Sequence, residues 1–287
     1  MDKNEILKLE FTALNIRRDI LRLIRAGEAG HSGGALSSTE ILTALYFKLL
    51  RIDPQDPRWS QRDRFVLSAG HKCLVLYSAL AERGFFDKSV LDTYGALDSR
   101  IPGHPNMHKL PGVETNTGAL GHGLAIAGGM AMGLKLDKSE ARVYVVMGDG
   151  ELAEGSNWEA AAASSMHKLD NMIVFVDRNK LQISGPTVEV MSYEPLEERW
   201  RSFGWAVRTI DGHDLEAIIK TAEEAPFEYG KPSVIIADTV KSKGLGFAEG
   251  KVSYHYWKAK PEEMVQAEHD LDEIERRLKL RMEDAGI

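Results

Sequence analysis

The sequence contains one cysteine, Cys73, so no disulfide can form within the chain. No apolar run approaches the roughly 20 residues that a membrane-spanning helix needs, and the opening Met1-Asp2-Lys3-Asn4-Glu5 lacks the basic-then-apolar order of a secretory signal. Basic residues are not in excess: 36 Lys and Arg stand against 43 Asp and Glu, a net charge of −7. A nucleic-acid surface needs clustered Lys and Arg, so no nucleic-acid partner is expected. Internal repeats and low-complexity linkers are also missing. These absences leave a soluble, cytoplasmic protein without membrane contact as the expectation. Its 287 residues suffice for a large core in one or two domains.

What the sequence does contain is a pair of motifs at the ends of two apolar runs. Gly148-Asp149-Gly150 follows Val143-Tyr144-Val145-Val146-Met147, and Asn179 follows Met172-Ile173-Val174-Phe175-Val176-Asp177. Both runs are β-branched, unalternating and stopped by turn residues, as buried strands are. Between them, 156–168 reads as a helix with Ser156 as its N-cap and Glu159 completing a capping box. Strand, helix, strand at this spacing makes a right-handed unit with parallel strands. Asp149 and Asn179 then emerge at the same sheet edge. Two hard oxygen ligands beside a glycine turn suit Mg²⁺ or Ca²⁺ carrying a phosphate ester. The bland alternative is a strand-ending turn and a cap, since Asp and Gly are ordinary turn residues.

The rest of the chain alternates helices and strands. Helices are expected over 5–26, 39–50 (capped by Ser38), 74–83, 119–136, 195–203, 215–225 and about 261–283, the last amphipathic and opened by Pro261. Further strands are expected over 64–68, 205–210 and 233–238, and residues 27–34 read as a glycine-rich loop. The pattern predicts one α/β domain over 1–287, a mostly parallel sheet with helices on both faces. Ligands of such sheets bind beyond the carboxyl ends of the strands. Residues 98–117 show no period, and a loop that long inside a compact domain is commonly functional. The helix over 119–136 carries Gly121, Gly123, Gly128, Gly129 and Gly133. Glycine weakens a helix, so close backbone approach is expected there, at a subunit interface or within the domain.

Five of the nine histidines follow a glycine: His31, His71, His104 and His122, and His213 in a turn-like Asp-Gly-His-Asp. Without a preceding glycine, His255 lies in Tyr254-His255-Tyr256-Trp257. A lone histidine is commonly a loop or core residue, but a recurring Gly-His pair combines close backbone approach with proton exchange near neutral pH. The set suits a site that handles several hydroxyls. It suits zinc poorly, because a single cysteine allows no thiolate cluster and the one His-x-x-x-His pair, His104 and His108, falls in a segment with no helical period. His108, His167, His213 and His269 read as surface or capping residues, and Cys73 as a small buried residue opening a helix.

Taken in order, these segments resemble the N-terminal half of a transketolase. They are Gly30-His31-Ser32-Gly33-Gly34, 63–71, Pro102-Gly103-His104-Pro105, 111–114, 117–123, 148–155, Asp177-Arg178-Asn179-Lys180 and 241–255. The resemblance implies a thiamine diphosphate-binding fold, with Mg²⁺ (Ca²⁺ or Mn²⁺ as alternatives) held by Asp149, Asn179 and the Leu181 carbonyl. It also implies that His71, Gly118, Ala119, Leu120, Gly150, Glu154, Asn179 and Lys241 bind the cofactor. His104 would hold a donor hydroxyl, while His31 and His255 would assist proton transfer. The implied reaction moves a two-carbon ketol unit from a ketose phosphate to an aldose, as in the pentose phosphate pathway, with the cofactor as electron sink.

Departures from the family pattern are Arg178 where a second asparagine is common, Tyr256 where glycine commonly follows the histidine, and Ala119 with His122 in the 117–123 segment. The sequence ends where the family's pyrimidine-binding domain would begin. A separate C-terminal subunit carrying that domain is therefore expected, in an assembly with two copies of each chain. Alternatives are a transketolase-like subunit for a specialised sugar, a subunit like deoxyxylulose-phosphate synthase or a 2-oxo acid dehydrogenase E1, and a degenerate scaffold.

Overall fold

The computed structural model describes residues 2–286. A twisted sheet of five strands forms its centre: β2 (Arg64–Leu67), β3 (Val143–Gly148), β4 (Met172–Arg178), β5 (Ala206–Asp211) and β6 (Ser233–Asp238), in the order β2-β3-β4-β6-β5 with every pair parallel. A small antiparallel pair, β1 (Ala29–Gly30) with β7 (Trp257–Lys258), ties the segment before His31 to the segment after His255. The helices are α1 (Lys3–Gly27), α2 (Ser32–Ser37), α3 (Thr39–Ala44), α4 (Cys73–Arg83), α5 (Gly123–Leu136), α6 (Gly155–Met166), α7 (Thr187–Val190), α8 (Leu196–Ser202), α9 (Leu215–Glu223) and α10 (Pro261–Asp284).

The unalternating strands make sense because both sheet faces are covered. Tyr144, Val146, Ile173, Phe175 and Ile235 point into the core shared with α1, α3, α4, α9 and α10. Val143, Val145, Met172, Val174 and Val234 point into the opposite core, under α5, α6 and α8. The long α10 has Pro261 in its first turn and buries Met264, Ala267, Leu271 and Leu278, while Ile274, which the period places on the same stripe, is only partly buried.

Several local expectations are corrected. Residues 27–34 are not a loop throughout: they contain β1 and the start of α2. Gly33 and Gly34 lie in that helix despite glycine's poor helix propensity, because a Cβ there would meet Lys241 at 2.8 Å and Lys72 at 2.9 Å, leaving room only for glycine. The Ser38 side chain caps no helix; its hydroxyl turns to the Gly34 carbonyl and Asp177. Ser156 is not an N-cap either, since α6 begins at Gly155 and the Ser156 hydroxyl donates to the Gly121 carbonyl at 2.8 Å. The helix expected from 119 starts at Gly123, because Gly118 (φ 150°) and Gly121 (φ 84°) sit where right-handed helix cannot form. Of its glycines, Gly123 abuts Ser68 and Gly128 faces Ser164, whereas Gly129 and Gly133 have open space beside them.

Candidate active site

The parallel register sets the site. Gly148 lies opposite Asp177, and the Asp149 amide bonds the Asp177 carbonyl at 3.2 Å. The ends of β3 and β4 therefore deliver Asp149 and Asn179 to one edge, as expected. They line a cleft with His31, His71, Gly118, Leu120, Gly150, Leu181, Lys241 and His255.

Asp149 is 9% exposed. Its carboxylate accepts the Gly150 amide at 2.8 Å and the Lys180 amide at 2.6 Å. Burial, followed by the like charge of Asp177, pushes it up to about 6. Asn179 donates through Nδ2 to Asp177 (3.3 Å), while its Oδ1 accepts the Leu181 amide (3.2 Å). The Leu181 carbonyl accepts Lys241 Nζ at 3.0 Å. Gly150 makes room locally, since a Cβ there would come within 2.8 Å of Gln182.

Behind these groups lies a layer that sequence reading missed. Lys72, 2% exposed, pairs with fully buried Asp177 at 2.5 Å. The same carboxylate accepts the hydroxyls of Ser37 (2.6 Å), Ser38 (3.0 Å) and Thr239. Burial opposes the charge on Asp177, but Lys72 and the hydroxyls outweigh it and hold the carboxyl below its ordinary value. Buried Glu151 accepts the Ser68 hydroxyl (2.5 Å) and the amides of Gly121 and Gly148, which fixes the glycine turns on both sides of the cleft. The available signal was a charge embedded in apolar sequence, Lys72 before Cys73-Leu74-Val75-Leu76 and Asp177 ending β4.

The histidines converge. His31 lies 5.3 Å from His71 and 5.5 Å from His255, ring centre to ring centre, and His71 stacks on His255 at 5.4 Å. Burial lowers His31, takes His71 down to about 2 and His255 to about 4. Lys241 Nζ is 2.9 Å from His255 Nδ1, and burial followed by the neighbouring Lys72 brings the ammonium down to about 8. His104 is exposed on the 98–117 loop with its ring 6.2 Å from His31. That loop is anchored where Tyr77 Oη and Cys73 Sγ donate to the carbonyls of Pro102 and Gly103. Tyr256 sets its ring edge-on to His31 at 4.8 Å.

Other sequence candidates lie elsewhere. Ala119 and Glu154 are exposed and outside the cleft lining; the Glu154 side chain packs on Gly121. His122 is exposed with Nδ1 near the Leu120 carbonyl. Cys73 is buried and pushed up to about 12 by that burial, so it is an inert thiol. His108, His167 and His269 are exposed as expected. His213 is not a surface residue: it is wedged between Glu40 and the Val240 amide. Among the described residues no cluster of three His, Cys, Asp or Glu side chains could hold a metal. Any metal here must use the amide and carbonyl oxygens as well. Among the same residues no helix is long and apolar enough to cross a membrane.

The transketolase thiamine diphosphate binding domain model matches residues 12–273. The chain is 43% identical to an apulose-4-phosphate transketolase subunit of Phocaeicola vulgatus, over 98% of this chain and 99% of that one. It is 44% identical to the 6-deoxy-6-sulfo-D-fructose transketolase subunit SqwG of a Clostridium species, over 91% and 94%. Human transketolase is 38% identical over 95% of this chain but only 43% of its own length. The crystal structure of Campylobacter jejuni transketolase superposes with a TM-score of 0.86 at 35% identity, over 92% of this chain and 42% of that one. The chain thus spans nearly all of the subunit-type relatives and less than half of these longer transketolases. The glycine turns, the strand-end Asp149 and Asn179 and the histidine cluster all fall within the matched residues, and the chain belongs to the transketolase family, where it corresponds to the thiamine diphosphate-binding domain.

Proposed function

We propose that this chain is the diphosphate-binding subunit of a two-chain, thiamine diphosphate-dependent transketolase. The observation that carries this reading is one cleft holding Asp149, Asn179 and Lys241 beside the His31-His71-His255 cluster. A divalent metal fits the residues present. Asp149 is a buried carboxylate whose direct partners are backbone amides, and its raised value marks uncompensated negative charge. Asn179 Oδ1 and the Leu181 carbonyl are the hard oxygens beside it. Mg²⁺ is the proposed ion, which Asp149, Asn179 and the Leu181 carbonyl would hold and which would offset the charge of a bound diphosphate.

Bound thiamine diphosphate supplies the nucleophile and the electron sink for breaking and remaking a carbon–carbon bond. The chain's own residues do the rest. Lys241 Nζ donating to His255 Nδ1 leaves His255 Nε2 as the N–H of a neutral ring. His255 can therefore donate that N–H to a sugar hydroxyl oxygen and so assist its proton transfer, and His31, also held neutral by burial, is the ring proposed to exchange the hydroxyl proton. His71 is driven too low to act as a base, which suits it to contacting the cofactor. His104, on the exposed side, holds a donor hydroxyl.

The partner is a second polypeptide carrying the pyrimidine-binding domain, with two copies of each chain in the cytoplasmic assembly. The donor is proposed to be a specialised ketose, because the subunit-type relatives carry the names of apulose 4-phosphate and sulfofructose enzymes. The three-histidine cluster favours sugar chemistry over a 2-oxo acid reaction and over a degenerate scaffold. The test is a ketol-transfer assay with xylulose 5-phosphate, apulose 4-phosphate and 6-deoxy-6-sulfofructose as donors, using the chain alone and with its partner. Activity only in the pair is expected; turnover by the single chain overturns the split-enzyme reading. Calorimetry on the pair that finds no thiamine diphosphate binding would establish the scaffold instead.

A further inference from the structure

Outside the cleft lies a second buried ionic cluster that the reaction does not use. Arg17 of α1, 5% exposed, pairs with Glu40 of α3, 8% exposed, at 2.7 Å. The other Glu40 oxygen is 2.9 Å from His213 Nδ1, in the turn between β5 and α9. Burial opposes ionisation of Glu40, but Arg17 and His213 outweigh it and the carboxylate stays charged. Three elements distant in sequence thus meet at one neutral cluster, an arrangement whose partners depend on one another because removing one strands a buried charge.

Its remaining bonds all go to one segment. His213 Nε2 accepts the Val240 amide at 2.8 Å, and Arg17 Nε donates to the Lys243 carbonyl at 3.1 Å. Accepting at Nε2 requires Nδ1–H to face Glu40, so the hydrogen bonds fix one neutral tautomer. Between these two anchors lie Lys241 and Ser242. Ser242 holds a left-handed backbone (φ 62°), is fully buried, and its amide donates to the Gly33 carbonyl at 3.0 Å. A non-glycine residue keeps that conformation only where its surroundings over-determine it. The strained turn aims Lys241 Nζ at the Leu181 carbonyl and His255 Nδ1.

We infer that His213, Glu40 and Arg17 form a positioning cluster, which pins the Val240–Lys243 turn and so sets Lys241 in the cofactor site. The inference rests on the assignment of Lys241 to that site. His213 touches neither cofactor nor substrate and acts through Lys241.

The experiment uses the two-chain complex. His213→Phe keeps a ring and removes both bonds; His213→Gln keeps one donor and one acceptor. Hydrogen exchange of the 240–243 amides should quicken by about tenfold or more in His213→Phe, with β4 and β6 unchanged. The thiamine diphosphate Kd and its KM should rise about tenfold, with kcat at saturating cofactor within about twofold of wild type, and His213→Gln should recover most of the loss. In a Lys241→Met background the same substitution should cost less than about twofold more, because coupled positions are not additive. Wild-type protection of the 240–243 amides, or an equal loss in the Lys241→Met background, overturns the inference. If His213→Phe does not fold, Arg17→Lys keeps the charge and removes the Lys243 bond, and it should shift exchange and Kd in the same direction. If the wild-type complex binds no thiamine diphosphate, the functional reading fails, while the exchange result still decides the tether.

Discussion

Two aspartates end neighbouring strands of this sheet and are treated in opposite ways. At the end of β4, Asp177 is fully buried and surrounded by Lys72 and three hydroxyls, and it is held below the ordinary carboxyl value. At the end of β3, Asp149 is nearly as buried, bonds only two backbone amides directly, and is pushed up to about 6. The protein completes one carboxylate with its own cation and leaves the other short of one. Burying a charge without a partner is costly. The β3 end is therefore where an external cation contributes most, and the β4 end is the rigid backing that orients Asn179 beside it.

The sharpest way to break this contrast is to remove each carboxyl's charge. Asp177→Asn strands the Lys72 ammonium in the interior, and Lys72→Met strands Asp177. Either should destabilise the chain by about 3–5 kcal/mol, as broken buried pairs do, read as a lowered denaturation midpoint. The double variant should recover much of that loss. If either single variant is as stable as wild type, the β4 end is not the self-contained pair described here.

Asp149→Asn should behave in the opposite sense. Without cofactor, the variant should be no less stable than wild type, since it removes an uncompensated buried charge. Metal-dependent binding of thiamine diphosphate to the complex should weaken by about a hundredfold, roughly 2.7 kcal/mol. Calorimetry that finds unchanged binding would remove Asp149 from the metal site.

The contrast between the two ends was only half legible in the sequence. Asp149 and Asn179 were readable because unalternating apolar runs stopped by Gly-Asp-Gly and by a polar turn mark the ends of buried parallel strands. His31 and His71 were readable together because a glycine precedes each, whereas His255 entered through its aromatic run and the resemblance carried by 241–255. Lys72 and Glu151 were not, since each looks like an ordinary helix-start charge until the fold brings Asp177 and Ser68 against it. Ser38 and Ser156 misled for a related reason: a serine hydroxyl serves whichever acceptor is nearest in space, and here Ser38 turns back to the Gly34 carbonyl beside Asp177 while Ser156 reaches Gly121, 35 residues away. His213 was missed because its partners come from α3 and the 240–243 turn.

Acidity gives a smaller effect with opposite signs at the two ends. The folded value of Asp149, about 6, exceeds the unfolded value of about 3.9. The folded state therefore holds the proton longer, and the stability Asp149 contributes is fully present below about pH 4 and lost as pH rises to 6. Asp177 is depressed, so its contribution is present above about pH 4 and lost as pH falls further. Wild type should accordingly lose stability relative to Asp149→Asn between pH 4 and 6, by up to about 1.4 kcal/mol per unit. Relative to Asp177→Asn it should lose stability only on acidification below about pH 4. Denaturant midpoints across pH 3–7 test both, and parallel slopes for the two variants would mean that the ends are not differently charged.

The smallest expected effect comes from single hydroxyls. The Ser38 hydroxyl is shared between the charged Asp177 at 3.0 Å and the Gly34 carbonyl at 2.8 Å, whereas Ser156 donates to the neutral Gly121 carbonyl alone at 2.8 Å. Bonds to charged groups contribute about 1.5–3 kcal/mol and neutral ones about 0.5–1.5, so Ser38→Ala should cost more than Ser156→Ala. Asp177 keeps Lys72, Ser37 and Thr239 in the Ser38 variant, which places its cost toward the lower end of the charged range. The consequences should also differ in place. Loss of the Ser38 hydroxyl weakens the backing of β4 and should lower the denaturation midpoint without quickening exchange at 118–121. Loss of the Ser156 hydroxyl frees the turn that brings Leu120 to the cleft, and exchange should quicken there while β4 stays protected. If Ser156→Ala loosens β4, or Ser38→Ala loosens 118–121, the two strand ends are mechanically one unit and the division between a finished and an unfinished carboxylate does not hold.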